Sequence, residues 1–131
     1  MAKVIHSMIR VLDLDKSMRF YADVLGMEAS HRLDFPDFSL GTCATRTTTS
    51  KSSSRSTKGH EEPYTHGTGY GHIACVVPDV AAFRAELLSK GHDPAPVKEF
   101  KRGDELLARF FFIQDPDGYK IEVLEQHGHY R

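Results

Sequence analysis

Four side chains stand apart by type and position: His6, Arg10, His72 and Glu122. His6, Met8 and Arg10 alternate along the apolar stretch Ile5 to Val11. As a strand, this stretch turns an imidazole and a guanidinium to one side and Ile5, Ile9 and Val11 to the other. His72 opens a second such stretch, with Ala74 and Val76 on its own side, and Glu122 stands between Ile121 and Val123. Taken singly, each has an ordinary reading as a polar residue facing water in strand alternation. Taken together, two imidazoles and a carboxylate are a donor set for a borderline divalent ion such as Zn²⁺, Ni²⁺ or Fe²⁺.

Whether these groups can meet depends on the elements that carry them, and those elements come twice. A repeat begins at His6 and again at His72, 66 residues on. Each copy opens with an apolar strand and continues with an aspartate, Asp13 or Asp79, placed to cap a helix. The first helix carries Met18, Tyr21, Ala22 and Leu25 and stops at Gly26; the second carries Val80, Phe83 and Leu87 and stops at Gly91. Strands follow in the second copy over 96–100, 107–114 and 119–125, the last two joined by the turn Asp115-Pro116-Asp117-Gly118. The expected fold is α+β: two tandem βαβββ modules, about 4–60 and 70–126. They would share one domain over 1–131 and form a curved mixed sheet around a metal cleft.

The first copy departs from this pattern. Residues 28–34 and 38–40 suit strands, but eleven of the sixteen residues in 42–57 are Ser or Thr. Composition alone makes this a flexible loop, whereas the repeat requires two strands here. The repeat also calls for a partner to Glu122, a fourth ligand, near position 56. No acidic residue occurs between Asp37 and Glu61, so that ligand is absent.

Composition narrows the classes of function. A net charge of −1 gives no electrostatic footprint for nucleic acid or an anionic membrane. No apolar run approaches a membrane span, and the N-terminal residues show no signal-peptide pattern. Two cysteines, Cys43 and Cys75, are too few for a disulfide framework, so a cytoplasmic setting is expected. Cys75 lies in an apolar run and reads as core. His60, His66 and the tail His127-Gly128-His129 are weaker metal candidates, and Lys98, Lys101, Arg102 and Arg109 are candidate carboxylate contacts.

Three segments carry a family resemblance: Ile5-His6-Ser7-Met8-Ile9-Arg10-Val11 with Asp13 to Met27, Gly67 to Ala74, and Asp115-Pro116-Asp117-Gly118-Tyr119-Lys120-Ile121-Glu122. In this order they resemble glyoxalase I of the vicinal oxygen chelate superfamily. The resemblance implies a lactoylglutathione lyase, which isomerises the hemithioacetal of glutathione and methylglyoxal to S-lactoylglutathione. It implies metal ligation by His6, His72 and Glu122, with Glu122 also the base, and Arg10 on a glutathione carboxylate. Ni²⁺ or Co²⁺ is the implied metal, with Zn²⁺ as a further option, and a homodimer with shared sites is implied. Family members add a glutamate, the fourth ligand expected near Ser53, and an asparagine from a Glu-Leu-Thr-x-Asn segment, which this chain lacks, so activity impaired by 42–57 is expected. Read one base early with permitted codons, the stretch can spell Tyr-Leu-Arg-Asn-Ala-Asp-Asn-Asp-Phe-Glu-Val-Glu-Leu-Thr-Val-Asn and rejoin the written frame near Lys58. Two other readings stand beside the isomerase. Taken literally, two histidines and one glutamate suit a ring-cleaving non-haem iron dioxygenase, and a non-catalytic small-ligand binding module fits as well.

Overall fold

The computed structural model describes Ala2, 5–45, 51–127 and Tyr130. Val4, 46–50 of the serine-rich stretch, Gly128 and His129 of the tail lie outside the described residues. The chain divides into two units, 1–65 and 66–131.

In the first unit the order is β1 (His6–Arg10), α1 (Leu14–Leu25), β2 (Glu28–Asp34), β3 (Phe38–Ala44) and β4 (Lys51–Thr57). Asp13 caps α1 by accepting from the Lys16 backbone N–H at 2.9 Å. Gly26 ends it in the left-handed conformation at φ 61°, its N–H donating to the Ala22 carbonyl. The buried stripe of α1 is Leu14, Ser17, Tyr21 and Val24. This differs from the expected face: Tyr21 is shared, Met18 and Leu25 flank the stripe half-buried, and Ala22 is exposed. Ser17 had no apolar signal to mark it, yet it sits on the stripe because it faces another serine, Ser54 of β4, across a 3.5 Å hydroxyl contact.

The strands form one mixed sheet in the order β1-β4-β3-β2, with β1 parallel to β4 and the other pairs antiparallel. The serine-rich stretch is therefore not a loop where it is described. Ala44 ends β3, and 51–57 forms a central strand paired on both sides. Serine has little intrinsic preference for strands, so this strand is held by its neighbours rather than by propensity. It aligns with β3 over Phe38↔Thr57 to Ala44↔Lys51 and with β1 over His6↔Lys51 to Arg10↔Arg55.

The second unit repeats the plan: β5 (Ile73–Val77), α2 (Val80–Ser89), β6 (Lys98–Arg102), β7 (Glu105–Gln114) and β8 (Lys120–Glu125), in the sheet order β5-β8-β7-β6. Asp79 caps α2 by accepting from the Ala82 N–H at 2.9 Å. Asp115 is buried and organises the β7–β8 turn by accepting from the N–H groups of Asp117 and Tyr119. Phe111, Ile113, Ile121 and Val123 are the buried strand residues against which α2 packs. The architecture is thus two βαβββ modules, each a four-stranded mixed sheet with one helix.

Candidate functional site

The second unit brings two of the expected groups together. His72 directly precedes β5, and Glu122 stands on β8 opposite Ala74, on the face that His72 and Ala74 share. The His72 Nε2 lies 3.1 Å from Glu122 Oε2. On the other side of β8, Phe112 is paired with Glu122, and its ring meets the His72 imidazole edge-on at 5.6 Å. Phe112 drew no attention from the sequence, although its place on the strand before Glu122 marked it as a wall of any site there. Glu122 is mostly covered, while the imidazole is more open, with 16% and 43% of their side chains exposed.

The fit to a divalent ion can be tested on this pair. Two ligands each about 2.1 Å from one ion, at roughly 90–109°, lie about 3.0–3.4 Å apart. The observed imidazole and carboxylate have that separation and the right donor chemistry, so they fit two positions around such an ion. Among the described residues no three His, Cys, Asp or Glu side chains form a metal-holding group.

His6 belongs to the first unit. It lies on β1 with Met8 and Arg10, all exposed, in register with Lys51, Ser53 and Arg55 of β4. Arg55 places its guanidinium 4.4 Å over the Phe38 ring. The two sheets can be compared position by position: Met8 pairs with Ser53 as Ala74 pairs with Glu122. Ser53 is therefore the counterpart of Glu122, three positions before the site that a constant offset of 66 indicates. The connection after the helix is longer in the second copy, 90–97 against 26–27, and this shifts the offset.

The weaker candidates have other employment. His60 stacks on Tyr64 at 4.4 Å, and His66 stacks on Tyr119 at 4.0 Å. Lys101 pairs with Glu99, Arg102 with Glu105, and Arg109 bridges Glu99 and Glu125. Glu125 also accepts from the Val80 N–H at the start of α2. Burial, and then the charge of Glu122, pushes the Cys75 thiol up to about 11, which suits core and not a nucleophile.

The family model of the Glyoxalase/Bleomycin resistance protein/Dioxygenase superfamily matches residues 3–123. The chain belongs to that superfamily. Within it, the chain is 36% identical over 129 residues to a probable lactoylglutathione lyase of Synechocystis, covering 93% of this chain and 94% of that one. It is 35% identical over 127 residues to a lactoylglutathione lyase of Haemophilus influenzae, covering 94% and 92%. Among solved structures, the trypanothione-dependent glyoxalase I of Leishmania major superposes with a TM-score of 0.76 at 30% identity, covering 96% of this chain and 88% of that one. These relatives place the chain in the glyoxalase I branch of the superfamily and favour the isomerase over the dioxygenase and the binding module.

Proposed function

We propose that this chain is a lactoylglutathione lyase, acting on the hemithioacetal of glutathione and methylglyoxal. The observation that carries the reading is the His72–Glu122 pair, 3.1 Å apart on one sheet face, in a chain whose relatives are glyoxalase I enzymes. His72 and Glu122 would hold a divalent ion, and His6 of the first module is a further candidate ligand. Ni²⁺ or Co²⁺ suits the short, insertion-free chain best and Zn²⁺ next. Bound there, the ion supplies Lewis-acid stabilisation of negative charge developing on the substrate oxygens.

The protein's own groups do the rest. The Glu122 carboxylate takes the proton from C1 of the hemithioacetal, and electrons shift toward the neighbouring carbonyl. A proton then returns to C2, and the C1 hydroxyl gives up its proton as the C2 oxygen gains one, leaving the thioester S-lactoylglutathione, so the reaction is an internal redistribution with no external oxidant or reductant. The Phe112 ring walls the His72 imidazole. Arg10 pairs with a glutathione carboxylate. The two modules act as a single domain in a homodimer, a second copy completes each site, and the enzyme works in the cytoplasm.

The test is isomerisation by the metal-stripped chain titrated with Ni²⁺ and followed as thioester absorbance. Turnover that appears with Ni²⁺ and vanishes with chelator is expected. A folded chain that binds Ni²⁺ but turns over nothing, with a chain carrying the displaced reading of 42–57 equally silent, would sink the assignment; silence from the written chain alone would mark it as a damaged copy of the enzyme.

A further inference from the structure

The register of β4 reaches beyond the missing ligand. Cys43 of β3 and Ser52, Ser54 and Ser56 of β4 share the face that meets α1, shown by the Ser17–Ser54 hydroxyl contact and the Cys43↔Ser52 pairing. In the second sheet the corresponding face of β8 carries Ile121 and Val123, both fully buried, and the counterpart of Cys43 is Ile113. The first sheet sets hydroxyls where the second sets aliphatics. The Ser52 hydroxyl is buried and has no hydrogen-bond partner among the described residues, an arrangement that costs stability. A central strand with serine on its core face conflicts with the pattern that its own burial demands.

We infer that residues 42–57 are the translation of a displaced reading frame, and that one base earlier the same DNA encodes a normal central strand with glutamate at position 53. Each displaced triplet is assigned here to the position supplying two of its three bases. A cysteine codon, TGY, then always yields Leu, Met or Val, and a serine codon of the TCN type always yields Phe, Leu, Ile or Val. With TCN codons at Ser52, Ser54 and Ser56, the apolar outcomes within the described strands fall at 43, 52, 54 and 56, the four positions on the face that meets α1; Ser50, outside the described residues, becomes Phe. The outward position between them behaves differently. Ser53 yields an acid only if its own codon is AGY and the preceding Ser52 codon is TCG. Position 53 is the counterpart of Glu122 by strand register. One shift therefore repairs two independent defects, an underfilled helix-facing side and a vacant ligand position. The metal half of this inference rests on the proposed function; the packing half does not.

The first arm of the test reads the coding DNA. The inference expects TCG at Ser52, AGY at Ser53 and TCN at Ser54 and Ser56, with the earlier frame open from 42 to 57. A TCN codon at Ser53, or a stop in that frame, overturns it. The second arm compares the written chain with one in which 42–57 is replaced by the displaced reading, and with Ser53→Glu alone. The replacement is expected to raise the thermal midpoint by about 10 °C, as three or more new aliphatic contacts would. It should also tighten Ni²⁺ binding, measured calorimetrically with the metal alone, by at least about tenfold. Ser53→Glu alone should tighten Ni²⁺ binding without the thermal gain. No thermal gain in the replacement overturns the inference. A thermal gain without tighter Ni²⁺ binding upholds the displaced frame and overturns the proposed metal site instead.

Discussion

β4 and β8 occupy the same place in two copies of one module, and they satisfy it by opposite means. β8 is held from both directions: its ladders to β5 and β7, and the burial of Ile121 and Val123 on its helix-facing side. β4 has the same ladders, to β1 and β3, but its helix-facing side chains are serines. β3 shows the same contrast with β7, since Gly41 stands where the second unit has the buried Phe111. The space over Gly41 is taken by the tips of Leu14 and Met18, and a Cβ there would come within 2.6 Å of the Met18 sulfur. Backbone pairing alone thus fixes where a strand runs. Side chains decide how much that strand contributes to stability and whether its outward face can do chemistry.

The largest expected effect is at the outward face. Glu122→Gln keeps the shape of the side chain and removes its basicity, so turnover should fall by about 10²–10⁴-fold, the usual worth of a positioned general base. Ser53→Ala, at the matching position of the other sheet, should change turnover less than about twofold, because serine there has no proton-accepting role to lose. Steady-state kinetics at saturating Ni²⁺ would check both. Equal losses from the two would mean that the sheets' outward positions are not distinguished as drawn here.

The next effect is at the helix-facing side. Val123→Ser imposes on β8 what β4 already carries, and should cost about 3 kcal/mol through lost apolar contact and a buried hydroxyl. The reverse change needs two partners. Ser54→Val alone strands the Ser17 hydroxyl, itself fully buried, and should be neutral or destabilising. Ser17→Ala with Ser54→Val removes both ends of the contact and should gain about 1 kcal/mol. Urea unfolding of the four proteins would show the difference. A stabilising Ser54→Val single variant would mean that the 3.5 Å hydroxyl contact contributes nothing.

How legible this was in the sequence follows from the same contrast. The helices, their aspartate caps and the glycine that ends α1 were readable because capping is local chemistry, written in adjacent residues. β7 was readable as an apolar, aromatic-rich run and β8 from the alternation Ile121-Glu122-Val123 that burial of one face had left in it. β4 was not readable from propensity, since the forces that place it act through its neighbours' backbones, and only the repeat pointed to it. His72 and Glu122 were expected to act together, and the structure brings them to 3.1 Å. The repeat alone put the missing ligand near position 56, because the longer connection after α2 changes the offset along the chain; the displaced reading put it near Ser53, the position that strand register also makes the counterpart of Glu122. The burial of Ser17 was invisible for a related reason: a small polar residue signals a core position only when its opposite number is known.

The smallest effect compares the two cysteines, one in each unit. Burial raises the Cys43 thiol, and burial also raises Cys75, where the charge of Glu122 adds to it and brings the value to about 11. A raised thiol pKa means less thiolate at a given pH, so at pH 8 only about a thousandth of Cys75 would be ionised, and both cysteines should resist alkylation. Glu122→Gln removes the negative charge beside Cys75 but leaves Cys43 untouched. The Cys75 thiol should then ionise more readily and react about two- to fivefold faster with iodoacetamide at pH 8, while the Cys43 rate stays constant. Mass spectrometry of the two cysteine peptides would read each rate separately. A rise at both sites would point to general loosening of the fold. A rise at Cys75 alone would locate the Glu122 charge in the second unit, on the sheet whose interior is filled.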